Sequence, residues 1–167
     1  MANTHTLIAS VTVGSGGAAT ISFTSIPATY TDFLVKGSFR TNRADGSDWV
    51  SITLSSGGAY TQKTLIGDGA NAGSDSGFPT GMVTDGNTAT SNTFGSFELY
   101  LPNYLGSNVK SYSLDSVQET NANSAYAQIL AGQGAGTGAI TSITFTPQYG
   151  TGFVQYSTAY IYGISNA

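Results

Sequence analysis

The sequence predicts an all-β fold: an antiparallel β-sandwich, jelly-roll-like, built from about 8–10 strands. Three observations carry that prediction. Runs of Thr, Tyr, Val, Ile and Phe with period-two alternation recur along the whole chain. Clusters of Gly, Asn, Asp and Ser separate them at spacings of roughly 10–15 residues. No segment carries a sustained i, i+3, i+4 apolar stripe bounded by helix caps.

The elements follow in order. Residues 7–13 and 19–23 flank Gly14-Ser15-Gly16-Gly17, which reads as a hairpin. The clearest strand is 32–40, where Phe33, Val35, Gly37 and Phe39 alternate with Leu34, Lys36, Ser38 and Arg40. Residues 48–54 set Val50, Ile52 and Leu54 on one face and Trp49, Ser51 and Thr53 on the other. Gly57-Gly58 then separates this run from 60–66. Residues 67–92 read GDGANAGSDSGFPTGMVTDGNTATSN, nearly without apolar character apart from Phe78, Met82 and Val83, and predict a long loop. Glu98 lies on a strand among Phe97, Leu99 and Tyr100. Residues 110–118 put Tyr112 and Leu114 opposite Ser111, Ser113 and Asp115. The Gly-rich stretch 132–138 splits 125–131 from 140–146, where Ile143 and Phe145 point one way. The last run, 157–164, is apolar on both faces, as a central or partner-covered strand requires.

At 167 residues the chain reads as a single domain, 1–167, with a possible N-terminal arm at 1–6. Cysteine is absent, which excludes disulfides and thiolate metal sites. No basic and apolar leader opens the chain and no apolar run approaches the roughly 20 residues of a membrane helix, so a soluble protein made in a cytoplasm is expected. Only 8% of residues are charged, against about 25% in an ordinary domain, and the net charge is −4. Ser and Thr together number 44 and take over the surface. The 40% hydrophobic content argues for a folded chain. So weakly charged a surface suits a subunit that lives in an assembly. Five scattered cations cannot track phosphates, so no nucleic-acid partner is expected.

Catalytic patterns are missing from the sequence. A Ser-His-Asp triad has only His5 to use, and no G-x-S-x-G elbow is present. Glu98 and Glu119 are the only glutamates, and Asp115 with Glu119 reads as a solvating pair on a sheet surface. Asp68, Asn71 and Asp75 crowd one Gly-rich loop, but Ala70 and Ala72 break the EF-hand spacing. Asp45 and Asp48 make an ordinary Asx turn. The expectation is a non-enzyme with no cofactor and no metal.

Three stretches carry a resemblance: MANTHTLIASVTVGSGGAATISFTSIPATYTDFLVKGSFR, FELYLPNYLGSNVKSYSLDSVQE, and the ending ITSITFTPQYGTGFVQYSTAYIYGISNA. They are similar to a recurrent family of tailed-bacteriophage structural proteins, common in marine and freshwater phages including those of cyanobacteria. The resemblance implies a virion protein, assigned in that family to the capsid exterior or the tail, and brings no catalytic motif. A capsid decoration (cement) protein is the leading expectation. Its partners are then the major capsid protein and further copies of itself, with a trimer favoured, and neither a membrane nor nucleic acid. The alternative is a tail-associated fibre or receptor-binding module that recognises host-surface glycans, for which Trp49, Tyr60, Tyr100 and Tyr104 are candidate sugar-stacking rings. Candidate interaction residues are Met1, Ala2, Asn3, Thr4 and His5 of the arm, Phe78, Pro79 and Met82 as loop anchors against a neighbouring subunit, and Tyr104 in an exposed Pro102-Asn103-Tyr104-Leu105-Gly106 loop.

Overall fold

Antiparallel pairing organises the structure, a computed structural model that describes residues 4–57, 60–76, 81–120, 125–134 and 136–165. These residues hold twelve strands and no helix. In chain order they are β1 (His5–Thr12), β2 (Ile21–Phe23), β3 (Asp32–Phe39), β4 (Ser47–Leu54), β5 (Tyr60–Gly67) and β6 (Ala72–Asp75). There follow β7 (Gly81–Asp85), β8 (Gly95–Leu101), β9 (Ser111–Glu119), β10 (Ala125–Gly134), β11 (Ile143–Pro147) and β12 (Thr158–Ile164). An eight-stranded sheet runs β1-β12-β3-β8-β9-β10-β5-β6, and a four-stranded sheet runs β2-β11-β4-β7.

The pairings reveal how the chain is rolled. β1 pairs with β12, β2 with β11, β3 with β8, and β4 with β7. These eight strands are one long antiparallel ribbon folded on itself, with successive ribbon steps landing in alternate sheets, which is the jelly-roll topology. The other four strands enter as two insertions, β5-β6 before β7 and β9-β10 after β8. They extend the large sheet past β8.

This arrangement corrects three expectations. The turn at Gly14-Ser15-Gly16-Gly17 does not close a hairpin, because β1 and β2 belong to different sheets. Residues 67–92 are not one long loop, since they contain β6 and β7. The strand count rises from the expected 8–10 to twelve for the same reason. β7 escaped notice because it is buried by hydrogen bonding as much as by apolar character. All five of its residues are buried, and Thr84 donates its hydroxyl to the Phe39 carbonyl at 2.5 Å.

The core lies between the sheets and is centred on four rings. Phe39 stands 4.7 Å from Phe97, 4.7 Å from Phe153 and 5.5 Å from Phe145. Burying each ring is worth about 1.5–3 kcal/mol, and each tilted pair adds roughly 0.5–1.5 kcal/mol. In the extension Tyr112 lies over its cross-strand neighbour Gly132, and a Cβ there would stand 2.1 Å from the ring. Aromatic cover of this kind restores packing that a strand glycine lacks.

The β9-β10 insertion also seals an edge. β7 ends the small sheet, so one side of its backbone has no partner strand. Gln128 of β10 supplies one: its Oε1 accepts from the Val83 amide at 3.0 Å, and its Nε2 donates to the Gly81 carbonyl at 3.1 Å. Ser116 of β9 donates to the same Oε1 at 2.9 Å and holds the amide in place.

Candidate functional site

Buried charge is the usual mark of a reactive site. Asp32, Arg40, Asp48, Asp85 and Lys110 are buried here, and four of them are consumed by the backbone. The Lys110 ammonium donates to the carbonyls of Gly106, Asn108 and Thr137 at 2.5, 2.6 and 3.1 Å. Asp48 accepts from the Thr41 hydroxyl and from the amides of Trp49, Tyr149 and Gly150, clamping two loops together. Asp32 accepts from the Tyr100 hydroxyl and the Asn103 amide, both at 2.8 Å. Arg40 donates to the carbonyls of Asn87, Ala89, Thr90 and Thr93. Asp85 differs, since neither carboxylate oxygen has a well-aligned partner among the described residues. Burial pushes its carboxyl up, and Thr93, Gln118 and the Arg40 guanidinium offset this in part. The chemistry of these groups is to hold loops. Among the described residues no three His, Asp or Glu side chains gather as a metal would need.

The loop acids fall into the same pattern. Asp68 accepts from the amides of Ala70 and Asn71 inside its own turn, which holds its carboxyl below the usual range. Asp45 pairs with Arg43 at 2.9 Å and accepts from the Gly46 amide. Asp115 and Glu119 both point outward from β9.

The proton linkages give an alkaline prediction. The bond to Asp32 raises the Tyr100 phenol, burial raises Tyr104, and the bond to Glu98 raises exposed Lys36. In each case the folded chain holds its proton more tightly, so the unfolded chain ionises first as pH climbs. Stability is therefore expected to fall once pH passes about 10, with the two phenols contributing more than the screened lysine. Thermal melts taken across alkaline pH check this, and a constant midpoint while the tyrosines titrate contradicts it.

The candidate interaction residues separate. Thr4 and His5 are exposed, but His5 begins β1 opposite Ile164, so the expected arm is strand by residue 5. Met82 is a core residue at 1% exposure, packed within its own subunit. Tyr104, expected at an exposed loop tip, is wholly buried against Phe33 and donates its hydroxyl to the Pro27 carbonyl. Trp49 and Tyr100 are half-buried, and Tyr60 opens β5. Met1, Ala2, Asn3, Phe78 and Pro79 lie outside the described residues.

What the fold does assemble is a broad outer face on the large sheet. One row crosses all eight strands as Ser10, Tyr160, Lys36, Glu98, Asp115, Ile129, Leu65 and Ser74. A second runs Leu7, Tyr162, Leu34, Tyr100, Ser113, Ala131 and Lys63. A third runs Thr12, Thr158, Ser38, Ser96, Val117, Ala127, Gly67 and Ala72. At about 4.8 Å per strand the face is roughly 34 Å wide. Its charges include Lys36 and Lys63 against Glu98, Asp115 and Glu119, with Lys36 and Glu98 paired at 2.6 Å. Leu65 and Ile129 sit directly opposite each other at 61% and 65% exposure, and Val117 is 47% exposed. A shallow groove of about 390 Å³ opens beside Leu65 and Ile129.

Sequence reasoning missed this face, although a local signal was available. Val117 stands at an outward position among Ser113 and Asp115, and Ile129 and Leu130 put apolar groups on both faces of one strand. Comparison of the chain with protein-family models, curated proteins and solved structures gives no match.

Proposed function

We propose that this chain is a virion structural protein, a capsid decoration protein that lays its eight-stranded outer face against the shell and stabilises it. The outer face carries the reading. It is wide, rich in hydroxyls and carries little net charge, and exposed Leu65, Ile129 and Val117 adjoin on β5, β10 and β9. Isolated exposed apolar residues need no explanation, but a contiguous patch marks an interaction surface. Jelly rolls build both capsid and lectin domains, so the fold by itself does not choose between them. The resemblance to phage structural proteins favours the virion. The partners are the major capsid protein and further copies of this chain, and the protein is not an enzyme. Binding only to the assembled shell stabilises the particle by mass action.

A second reading is favoured by one observation. Tyr100, Tyr160 and Tyr162 share the outer face with Lys36, Glu98 and Asp115, the mixture of rings and polar groups that glycans use. A tail-associated receptor-binding module is the corresponding function. Copy number per particle separates the two. Quantitative mass spectrometry of purified virions is expected to give a small-integer ratio to the major capsid protein. A ratio of a few per cent rejects decoration and directs the next assay to glycan binding.

A further inference from the structure

The two sheets have four edges, and three are blunted against strand addition. β2 has only three residues. β7 has its free backbone groups occupied by Gln128. β1 shifts register between Leu7 and Ala9, and such an irregularity twists an edge away from a partner. The fourth edge, β6, is also short, at four residues, but its ladder with β5 is regular. Its sequence, AGSD, has no Pro, no Lys and no bulge, and it ends the large sheet with no partner strand among the described residues.

The backbone of β6 is set up to pair with itself. The hairpin from β5 closes through Gly69-Ala70, with Gly69 at φ 86°, and the Asp68 amide donates to the Asn71 carbonyl. Antiparallel pairs alternate between hydrogen-bonded and non-bonded. Counting on from Asp68 and Asn71, Gly73 and Asp75 bond inward to Ile66 and Thr64, while Ala72 and Ser74 turn their amides and carbonyls outward. A two-fold axis at Gly73 then sets Ala72 of each copy opposite Ser74 of the other, and both pairs exchange hydrogen bonds.

We propose that β6 is a homodimerisation edge, through which a second copy of this chain adds antiparallel about Gly73 to make a continuous sixteen-stranded sheet. Both copies then present their outer faces on the same side, which doubles the face available for docking. The contact is isologous and closes after two copies, so it replaces the trimer of the sequence reading with a two-fold pair. It goes beyond the proposed function and holds whether or not the face meets a shell.

The chain has no cysteine, so a single introduced thiol reports the contact directly. At the axis Gly73 faces its own copy as a non-bonded pair with Cα atoms about 4.5 Å apart, within disulfide reach. A Cβ at Gly73 meets nothing within 4 Å, so the substitution is tolerated. Gly73→Cys is expected to give a covalent dimer on air oxidation roughly tenfold or more faster than Ser10→Cys on β1, because pairing raises the effective thiol concentration. Light scattering should give twice the chain mass for the unaltered protein. Ser74→Pro removes an outward amide, which edge strands tolerate, and should give a monomer with an unchanged melting temperature. A monomeric unaltered protein, or Gly73→Cys crosslinking no faster than Ser10→Cys, overturns the proposal. A dimer that survives Ser74→Pro also overturns it.

Discussion

Replacing Arg40 by methionine is expected to destabilise the fold by about 3–5 kcal/mol, the cost of losing several charge-assisted hydrogen bonds to backbone carbonyls. The guanidinium is the hub of one end of the sandwich. At 6% exposure it donates to four backbone carbonyls, Asn87 at 3.0 Å, Ala89 at 2.8 Å, Thr90 at 2.6 Å and Thr93 at 3.1 Å. Those carbonyls belong to the connection between β7 and β8, which has no ladder of its own to satisfy them. Methionine matches the stem of the side chain and takes this donor from the Asn87, Ala89 and Thr93 carbonyls, while the Thr90 carbonyl keeps the amide and hydroxyl of Thr93. Lysine is expected to recover little, because a single ammonium cannot reproduce the planar fork. Urea denaturation monitored by tyrosine fluorescence measures the loss, and a change under about 1 kcal/mol contradicts the assignment.

Asp85 supplies a second readout with a defined sign. Burial raises its carboxyl, so the folded chain binds its proton more readily than the unfolded chain does. Stability from this group is greatest in acid and declines as pH rises through the raised value. In the unaltered protein Arg40 opposes that rise. Without Arg40 the penalty grows, so Arg40→Met should regain part of its lost stability on acidification. Asp85→Asn in the Arg40→Met background should regain part of it at neutral pH.

Strands with strong period-two alternation were legible in the sequence to within a residue or so. The run 32–40 is β3 (Asp32–Phe39), 48–54 is β4 (Ser47–Leu54), and 110–118 is β9 (Ser111–Glu119). Each has one face fully committed to the core, and that commitment is what alternation records. The final run, apolar on both faces, sits inside its sheet between β1 and β3. Turn residues, in contrast, announce that the chain reverses without saying whether it stays in the same sheet. Gly14–Gly17 therefore looked like a hairpin, while the true partner of β1 is the last strand of the chain. β6 and β7 were invisible for a different reason. β6 is an edge with no apolar residue larger than Ala72, and β7 contains Thr84 and Asp85, buried through backbone and tertiary contacts that no local pattern encodes. Tyr104 misled because its loop sequence is polar, although Phe33 and the Pro27 carbonyl draw the ring inside. The outer face was missed because it exists only once eight strands from distant parts of the chain stand side by side.

Gln128→Leu is expected to cost about 2–4 kcal/mol, since it strands three buried polar groups and regains only part of this through apolar burial. The Val83 amide, the Gly81 carbonyl and the Ser116 hydroxyl all lose their partner at once. Gln128→Glu separates the contributions. Its carboxylate still accepts from Val83 and Ser116 but cannot donate to Gly81, and it buries a charge, so it should be as harmful as leucine despite its matching shape. Stability alone does not prove edge sealing, but hydrogen exchange at the Val83 amide does. That amide faces away from its own sheet, and its protection depends on the Gln128 oxygen. In Gln128→Leu it should exchange faster by a larger factor than amides of β11, which bond to strands on both sides. An opened β7 also becomes a second free edge beside β6. Gln128→Leu should therefore form larger assemblies than the unaltered protein, and adding Ser74→Pro should not abolish them. Equal loss of protection at Val83 and throughout β11 would mean global loosening, and the edge-sealing role of Gln128 would then be wrong.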